Sequence, residues 1–206
     1  MQGKIFIIDY GICNIGSLEN MIKKIGFLPE IVKNPKDIVN PKHIILPGIG
    51  KFEKGIYNLE ERGFIDFFSK SFFHYDCFML GICLGMQLMF EESEESPGVR
   101  GLGLIEGSVK KFPSSSEYPV PQMNWNKIEF KNKNNFFSNL DIDKHRFYFV
   151  HSYYALPKNE QDILAYTYYS QKFCSVVNKK KIFAVQFHPE KSLKSGKQIL
   201  YNFCSL

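Results

Sequence analysis

Five consecutive residues, Gly81-Ile82-Cys83-Leu84-Gly85, place a thiol between two glycines at the end of an apolar run. A helical pattern follows them, which is the context of a nucleophile elbow, a sharp turn from strand to helix that exposes its central side chain. The glycines let neighbouring chain pass this turn without Cβ clashes. The following helix N-terminus favours thiolate over thiol. The pattern predicts that Cys83 is a nucleophile, with the backbone N–H of Leu84 placed to bind an oxyanion.

The other four cysteines fit the usual role of cysteine as a small buried apolar residue. They are Cys13, Cys77, Cys174 and Cys204. An odd number of cysteines without a C-x-x-C pair argues against a zinc site or a disulfide scaffold. We therefore expect no metal site.

A thiol nucleophile needs a base, and His188 is the best placed of the five histidines. It follows an apolar run and precedes Pro189 and Glu190. In an extended segment residues two apart point the same way, and proline stiffens that geometry. Glu190 can then accept a hydrogen bond from His188, as the acid does in a catalytic triad. His151 ends another strand pattern and stays open between core packing and lining a site.

Apolar runs alternating with helical patterns fill the first half of the chain. Predicted strands cover residues 5–8, 28–32, 43–46 and 77–80, and predicted helices cover 15–25, 52–73 with an interruption near Gly63, and 84–91. This alternation indicates a parallel sheet covered on both faces. Ligands bind such sheets at the carboxyl ends of the strands, where residues 9–11, 47–50 and 81–85 all lie.

The second half has few helices between its strand patterns. Strands are predicted at 109–112, 127–130, 146–154, 164–169, 174–177 and 182–187, with loops at 113–121 and 132–139 and a closing helix at 196–203. Such a series favours antiparallel pairing. The predicted fold class is α/β, with a mostly parallel central sheet flanked by helices and an additional antiparallel layer in the second half.

Length and composition narrow the class of protein. The 206 residues suit one domain, 1–206, and 44% hydrophobic with 23% charged residues is ordinary for a soluble globular protein. The net charge is +5, but the longest basic run, 179–181, fits a solvated hairpin turn, so we expect no nucleic-acid partner. No run approaches the ~20 apolar residues of a membrane span, and the start does not read as a signal peptide. A reducing cytoplasm fits this composition.

Seven sequence blocks carry a resemblance to a known family. They are Ile8-Asp9-Tyr10-Gly11 with Asn14, Leu46-Pro47-Gly48-Ile49-Gly50, Gly81-Ile82-Cys83-Leu84-Gly85-Met86-Gln87, Gly101-Leu102-Gly103-Leu104-Ile105, Trp125-Asn126, Phe149-Val150-His151-Ser152-Tyr153-Tyr154 and Gln186-Phe187-His188-Pro189-Glu190-Lys191-Ser192. In this order, over nearly the whole chain, they resemble the class I (triad) glutamine amidotransferases. Within that family they are most similar to the glutaminase subunits of imidazole glycerol phosphate synthases.

The resemblance implies roles for single residues. Cys83 would be the nucleophile, His188 the base and then the acid, and Glu190 the residue that orients His188. L-glutamine would be held by Gly48, Gln87, Glu95, Ser152 and Tyr153. Glutamine would be hydrolysed to glutamate and ammonia through a thioester on Cys83, with no metal or organic cofactor.

Residues 47–50 resemble the oxyanion strand of the family. A backbone amide of Ile49 or Gly50 would join that of Leu84 in the oxyanion hole. In the family this strand can rest in an inactive orientation until the partner is loaded. Two glycines in four residues make such a peptide flip cheap.

The resemblance also implies a partner. Ammonia released into water would become ammonium and lose its nucleophilicity, so a synthase should cover the site and receive ammonia through a channel. The implied partner is a (β/α)8-barrel cyclase subunit, in a heterodimer of histidine biosynthesis. Asn14, Trp125 and Lys191 match positions that face it.

The chain departs from the family pattern near that expected interface. The usual Pro-His-x-Gly-Trp-Asn reads Pro121-Gln122-Met123-Asn124-Trp125-Asn126, Cys13 stands where glycine is usual, and residues 51–55 are unusually charged. We expect these differences on the partner face. They leave open a second hypothesis, a paralogous glutaminase that feeds a different barrel synthase, as in bacterial surface-sugar amidation. The intact triad and Gln87 disfavour a non-catalytic subunit or a cysteine protease.

Overall fold

The computed structural model describes residues 4–141 and 144–206. The first four strands, β1 to β4, are Lys4–Ile8, Leu28–Val32, His43–Gly48 and Phe78–Cys83. The helices α1 to α5 are Ile15–Lys24, Phe52–Glu61, Phe64–Asp66, Leu84–Leu88 and Leu193–Cys204. A π-helical turn, Phe67–Ser71, and a 3-10 turn, Phe72–His74, continue α3.

Nine further strands follow. Strands β5 to β13 are Glu92–Ser93, Gly107–Lys111, Gln122–Asn126, Glu129–Phe130, Phe147–His151, Tyr153–Pro157, Ile163–Tyr169, Gln171–Lys179 and Ile182–Val185. Further 3-10 turns are Pro35–Asp37, Asn135–Phe137, Glu160–Asp162 and Pro189–Lys191.

One large sheet contains most of these strands, in the order β2-β1-β3-β4-β13-β12-β10-β6-β5, and β11 pairs with both β12 and β8. The strands from β2 to β13 in this order pair in parallel. Beyond β13 the pairs are antiparallel, apart from β5 with β6. The predicted α/β class is confirmed. The antiparallel strands continue the same sheet, because β12 pairs directly with β13.

Alternating side chains of the parallel strands feed two hydrophobic cores, one on each face. In β1, Phe6 and Ile8 belong to the core that contains Phe52 of α2. Ile5 and Ile7 belong to the core that contains Leu18 of α1, together with Ile199 and Phe203 of α5. The sheet is therefore covered by helices on both faces, which leaves the strand ends as the place for a site.

Helix α4 ends at Leu88, three residues before the predicted end at 91. The next turn tightens, since the Met89 and Phe90 amides donate to carbonyls three residues back. The carbonyls of Leu88 and Phe90 then accept from the amides of Leu102 and Gly103. The loop after the helix thus satisfies the backbone groups that a longer helix would have used.

A separate two-stranded ribbon pairs β7 with β9, with Gln122 opposite His151 and Asn126 opposite Phe147. No strand is predicted at β7: its apolar residues Met123 and Trp125 do alternate with polar ones, but both are exposed, and the buried residue is Gln122. The single strand predicted at 146–154 divides at Ser152 into β9 and β10, which belong to different sheets. The predicted strand at 127–130 shortens to β8.

Candidate active site

Cys83 is the last residue of β4 and directly precedes α4. Its φ of +53° is rare for a residue with a Cβ, as the predicted elbow requires. A Cβ on Gly85 would lie 1.8 Å from the carbonyl oxygen of Leu46, so only glycine lets α4 pack this closely on β3. The Cys83 Sγ lies 3.7 Å from Gln186 Nε2 and 3.9 Å from the carbonyl oxygen of Val150.

His188 and Glu190 form a hydrogen bond of 2.7 Å between Nδ1 and Oε1. This bond sets the imidazole tautomer and leaves Nε2 buried without a hydrogen-bond partner in the described part of the chain. The expected extended geometry was wrong: a 3-10 turn, Pro189–Lys191, brings the carboxylate back to the ring. The His188 backbone is fixed by a bond from its amide to Tyr148 and one from the Ser192 hydroxyl to its carbonyl.

Burial acts to lower the pKa of His188, but the neighbouring Cys83 and the Glu190 carboxylate outweigh burial and raise this pKa to about 10. The electrostatics therefore favour an imidazolium next to Cys83 at neutral pH. A proton held there can be given to a leaving amine.

His151 lies in the same cavity wall and has the opposite character. Its Nδ1 donates to the carbonyl of Tyr153 at 2.7 Å, so its Nε2 carries a lone pair. Burial lowers the pKa of His151 to about 4, with the nearby His188 lowering it further and the Tyr153 carbonyl opposing. The ring is thus neutral at physiological pH. The sequence left open whether His151 packs in the core or lines the site, and it does both: it packs on Phe112 and also lines the cavity.

A cavity of about 250 Å³ opens above Cys83. Its lining residues are Ile49, Gly50, Cys83, Leu84, Gln87, Glu95, Pro121, Val150, His151, Ser152, Tyr153 and His188. Nearly all residues expected at the site from the sequence therefore meet at one place. Glu190 stands behind His188, and Gly48 does not reach the lining.

Gly48 lies beneath the cavity, opposite Cys83 in the β3–β4 register. A Cβ here would lie 2.1 Å from the Tyr10 hydroxyl and 2.9 Å from Leu84 Cβ. Gly48 thus permits close packing beneath Cys83, and its contact with substrate stays a prediction.

Two of the expected substrate-binding side chains also hold the site together. Gln87 uses its Nε2 for the Tyr153 carbonyl at 2.9 Å and for Gln186 Oε1 at 3.1 Å. Glu95 accepts the backbone N–H of Phe52, the first residue of α2, at 2.8 Å. Each keeps one oxygen uncommitted to these bonds, so each can meet a ligand as an acceptor.

The oxyanion strand is turned away from the cavity. The Ile49 amide donates to the carbonyl of Ile12 at 2.9 Å, on the loop after β1. The Ile49 amide is therefore engaged within the chain, while Leu84, whose amide is the other predicted oxyanion donor, lines the cavity. Gly50 adopts a φ of +108°, a conformation that favours glycine. Rotation of the Gly48–Ile49 peptide would be needed to aim the Ile49 amide at the cavity.

Two of the expected partner-facing residues form a patch. Trp125 is 43% exposed and makes an edge contact with the Tyr148 ring at 5.8 Å, and the Lys191 ammonium lies 5.7 Å from that ring. Asn14 precedes α1, which packs against the Pro189–Lys191 turn. Exposure argues against a core role for Trp125. We call Trp125, Tyr148 and Lys191 the aromatic patch.

The departures from the family pattern do not all face outward as expected. Gln122 is fully buried, opposite His151 in the ribbon, whereas Asn124 is exposed. Cys13 is half-buried, with its thiol 3.7 Å from Asp9 Oδ1. Gln122 therefore lies in the interior, not on the surface expected to face a partner.

Within residues 4–141 and 144–206, no group of three or more His, Cys, Asp or Glu side chains is arranged to hold a metal ion. In the same residues, no helix combines the length and apolarity needed to cross a membrane.

The family model described as glutamine amidotransferase class-I matches residues 6–205. The chain belongs to the class I glutamine amidotransferases. Curated relatives of this amidotransferase include imidazole glycerol phosphate synthase subunit HisH 2 of Methanococcus maripaludis, 46% identical over 97% of this chain and 98% of the relative. Subunit HisH of Chlorobium luteolum is 43% identical over 97% and 98%, and subunit HisH 1 of Campylobacter jejuni is 40% identical over 98% and 100%.

Solved structures agree on the fold of the amidotransferase. A crystal structure of a glutamine amidotransferase superposes with a TM-score of 0.72 at 18% identity, covering 98% of this chain and 100% of that one. The PurLQS structure of Thermotoga maritima gives a TM-score of 0.66 at 18% identity, covering 100% and 99%.

Sequence reasoning missed two residues that touch the reacting groups. Gln186 stands inside a quoted block, but a glutamine at the end of an apolar strand carries no signal of its own. Val150 contributes a backbone carbonyl, which its side-chain type cannot reveal. The signal available for Gln186 was the register of parallel strands: Val185 pairs with Ile82, so Gln186 must come next to Cys83.

Proposed function

We propose that this chain is the glutaminase subunit of an imidazole glycerol phosphate synthase, which supplies ammonia to a (β/α)8-barrel cyclase subunit in the cytoplasm. The relatives that share 40–46% identity over nearly their whole length bear that subunit name. The observation that carries the chemistry is the buried His188–Glu190 pair next to a thiol held at positive φ. Both features serve cysteine-based acyl transfer.

The first half-reaction begins with the Cys83 thiolate giving its electron pair to the side-chain amide carbon of glutamine. The carbonyl oxygen becomes an oxyanion near the Leu84 amide. His188 then gives its proton to the amide nitrogen, the carbon–nitrogen bond breaks, and ammonia leaves. A γ-glutamyl thioester stays on Cys83.

In the second half-reaction His188 takes a proton from water as the water oxygen attacks the thioester carbon. The carbon–sulfur bond breaks, the thiolate re-forms, and glutamate leaves. Gln87, Glu95, Ser152 and Tyr153 line the part of the cavity available for the amino-acid end of the substrate.

Partner binding is proposed to turn the Ile49 amide into the oxyanion hole. In the structure this amide is bonded to the carbonyl of Ile12, so it is not available to an oxyanion in the cavity. The aromatic patch is on the ribbon and the turn that flank the cavity, which makes it the proposed docking surface. A partner bound there would also cover the exit of ammonia.

The decisive experiment compares two nitrogen sources for the complex with its cyclase subunit. Cys83→Ala should abolish product formation with glutamine and leave product formation with ammonium salts unchanged, because only the thioester route needs the thiol. Glutamate release and cyclised product are measured separately. Glutamate release that persists in Cys83→Ala contradicts the glutaminase mechanism.

The alternative partner is tested in the same assay. The hypothesis of a sugar-amidating synthase was based on Gln122 and Asn124, and only Asn124 is exposed to meet a partner. A complex that consumes glutamine with the imidazole glycerol phosphate precursor supports the histidine pathway. Failure on that precursor, with turnover of a keto-sugar, supports the alternative.

A further inference from the structure

Gln186 is a fully buried polar side chain that the mechanism above does not use. It follows β13, and its backbone N–H donates to the carbonyl of Ser175 at 2.9 Å, which fixes the main chain. Its side-chain Nε2 lies 3.7 Å from the Cys83 Sγ. A buried amide in contact with the reacting atom has a chemical effect as well as a packing one.

The orientation of this amide follows from its neighbours. The carbonyl of Tyr153 can only accept, so the nitrogen of Gln87 must face it, at 2.9 Å. The second N–H of Gln87 is directed at Gln186, at 3.1 Å, and requires an acceptor there. Gln186 therefore presents its oxygen to Gln87 and its NH₂ group to Cys83. A reversed amide would set two NH₂ groups against each other.

We propose that Gln186 donates a hydrogen bond to the sulfur of Cys83 and stabilises its thiolate, and that Gln87 is the positioning residue that holds Gln186 in this orientation. The catalytic consequence depends on the proposed glutaminase function. Gln186 neither gives nor takes a proton. It favours the charged sulfur before attack and again when the carbon–sulfur bond of the thioester breaks.

Other groups that face the sulfur set the background for this effect. The Val150 carbonyl at 3.9 Å accepts from the thiol form and thus opposes the thiolate. His188 faces Cys83 from the segment after β13, and Tyr10, whose pKa is raised by burial, faces it from the segment after β1. Gln186 is a neutral amide donor, so its effect does not depend on its own titration.

The test measures alkylation of Cys83 by iodoacetamide in the full-length chain, followed by peptide mass spectrometry. Gln186→Met keeps the length of the side chain and removes the donor. We expect alkylation about tenfold slower at pH 6.5, as for the loss of one hydrogen bond to a charged group. At pH 9.5 the rates should agree within about twofold, because thiols in general are largely ionised at that pH.

Two controls separate chemistry from packing. Gln198→Met removes a hydrogen bond to Asn202 on α5, away from Cys83, and should leave both rates unchanged. Gln87→Met keeps Gln186 and removes its orienting bond, so it should slow alkylation at pH 6.5 by a smaller factor. If Gln186→Met does not fold, Gln87→Met carries the test alone.

Equal rates at pH 6.5 in the parent and in the variant that carries the test overturn the proposal. An equal slowing at both pH values also overturns it, because that result reports altered access to the thiol. In the complex, Gln186→Met should lower kcat for glutamine about tenfold with little change in KM. Alkylation needs no glutamine turnover, so a complex without glutaminase activity would refute the proposed function and leave the Gln186 result standing.

Discussion

The two walls of the active-site cavity are in different states. On one wall the His188 ring is bonded to Glu190, and Gln186 already meets the sulfur of Cys83. On the other wall the Ile49 amide is bonded to Ile12, behind the cavity. Every side chain of the proposed triad is in place, and one proposed backbone donor, the Ile49 amide, is not.

This difference between the walls indicates how glutamine hydrolysis can be held back at a small cost in free energy. Orienting several side chains is done once, during folding. The missing step is rotation of the Gly48–Ile49 peptide, opposed by a hydrogen bond worth about 1 kcal/mol. A partner that binds with a few kcal/mol of differential affinity can reverse such an equilibrium. The following predictions test each wall in turn.

The largest effect is expected from Glu190→Gln, which breaks the assembled wall. An amide keeps the shape of the side chain but removes the negative charge that stabilises the protonated His188 ring and sets the tautomer of the neutral ring. We expect kcat for glutamine in the complex to fall by about 10³-fold, with the ammonia-dependent reaction unchanged. A loss below tenfold would show that His188 does not need Glu190.

Ile49→Pro tests the unassembled wall, since proline has no N–H. It should cost about 10²-fold in partner-stimulated glutamine hydrolysis, the usual loss for one oxyanion donor. Ile49→Val keeps the N–H and is the matched control. Cys83 alkylation should be the same in both. Full stimulation of the proline variant by the partner would remove Ile49 from the oxyanion hole.

Trp125→Ala tests the connection between partner and cavity. Exposed tryptophans at interface centres commonly contribute about 2 kcal/mol, so we expect the dissociation constant of the complex to rise about 30-fold in a calorimetric titration. Phe73→Ala is the control, because it also removes an aromatic ring, one that is 65% exposed. Phe73 precedes β4, whereas Cys83 is the last residue of that strand, so this variant should leave binding unchanged. Equal binding by both variants would place the interface elsewhere.

The smallest effect concerns a histidine outside the cavity, where burial acts without a carboxylate partner. Burial, aided by Lys42, lowers the pKa of His43 from 6.5 to about 4. Between about pH 6.5 and 4 the His43 ring is therefore protonated in the unfolded chain but neutral in the folded one. As the pH falls through that window, this residue lowers the free energy of unfolding. His43→Phe should reduce the drop in unfolding midpoint between pH 7 and 4.5. An unchanged drop would contradict the shift.

The sequence predicted that Cys83 and His188 lie at one site because their signals are local. Cys83 is marked by glycines that only a strand-to-helix elbow requires, and His188 by a carboxylate two residues later. The parallel half of the fold follows from apolar runs, since strands buried on both faces need no alternation. These features depend on the nearest few residues.

What the sequence did not predict depends on contacts between distant segments. The role of Gln87 as a donor to Gln186 needs three elements to meet, and the bond from Ile49 to Ile12 is a backbone contact that any side chain could make. In the ribbon strand β7 the alternating apolar residues Met123 and Trp125 are exposed and Gln122 is buried, the reverse of the usual pattern of a half-buried strand. Side-chain type therefore says little about these places.

The β7–β9 ribbon has a consequence for how such subunits diversify. Along β9, Phe147, Phe149 and His151 point into the core, while Tyr148 and Val150 are half-buried on the other side. Tyr148 belongs to the aromatic patch and the Val150 carbonyl lies 3.9 Å from the Cys83 Sγ. The proposed docking surface and the proposed nucleophile are thus connected by two residues, about 7 Å of strand. After gene duplication, substitutions on the outer side of the ribbon alone can thus fit the subunit to a different ammonia-accepting synthase. The residues that hydrolyse glutamine can then stay unchanged.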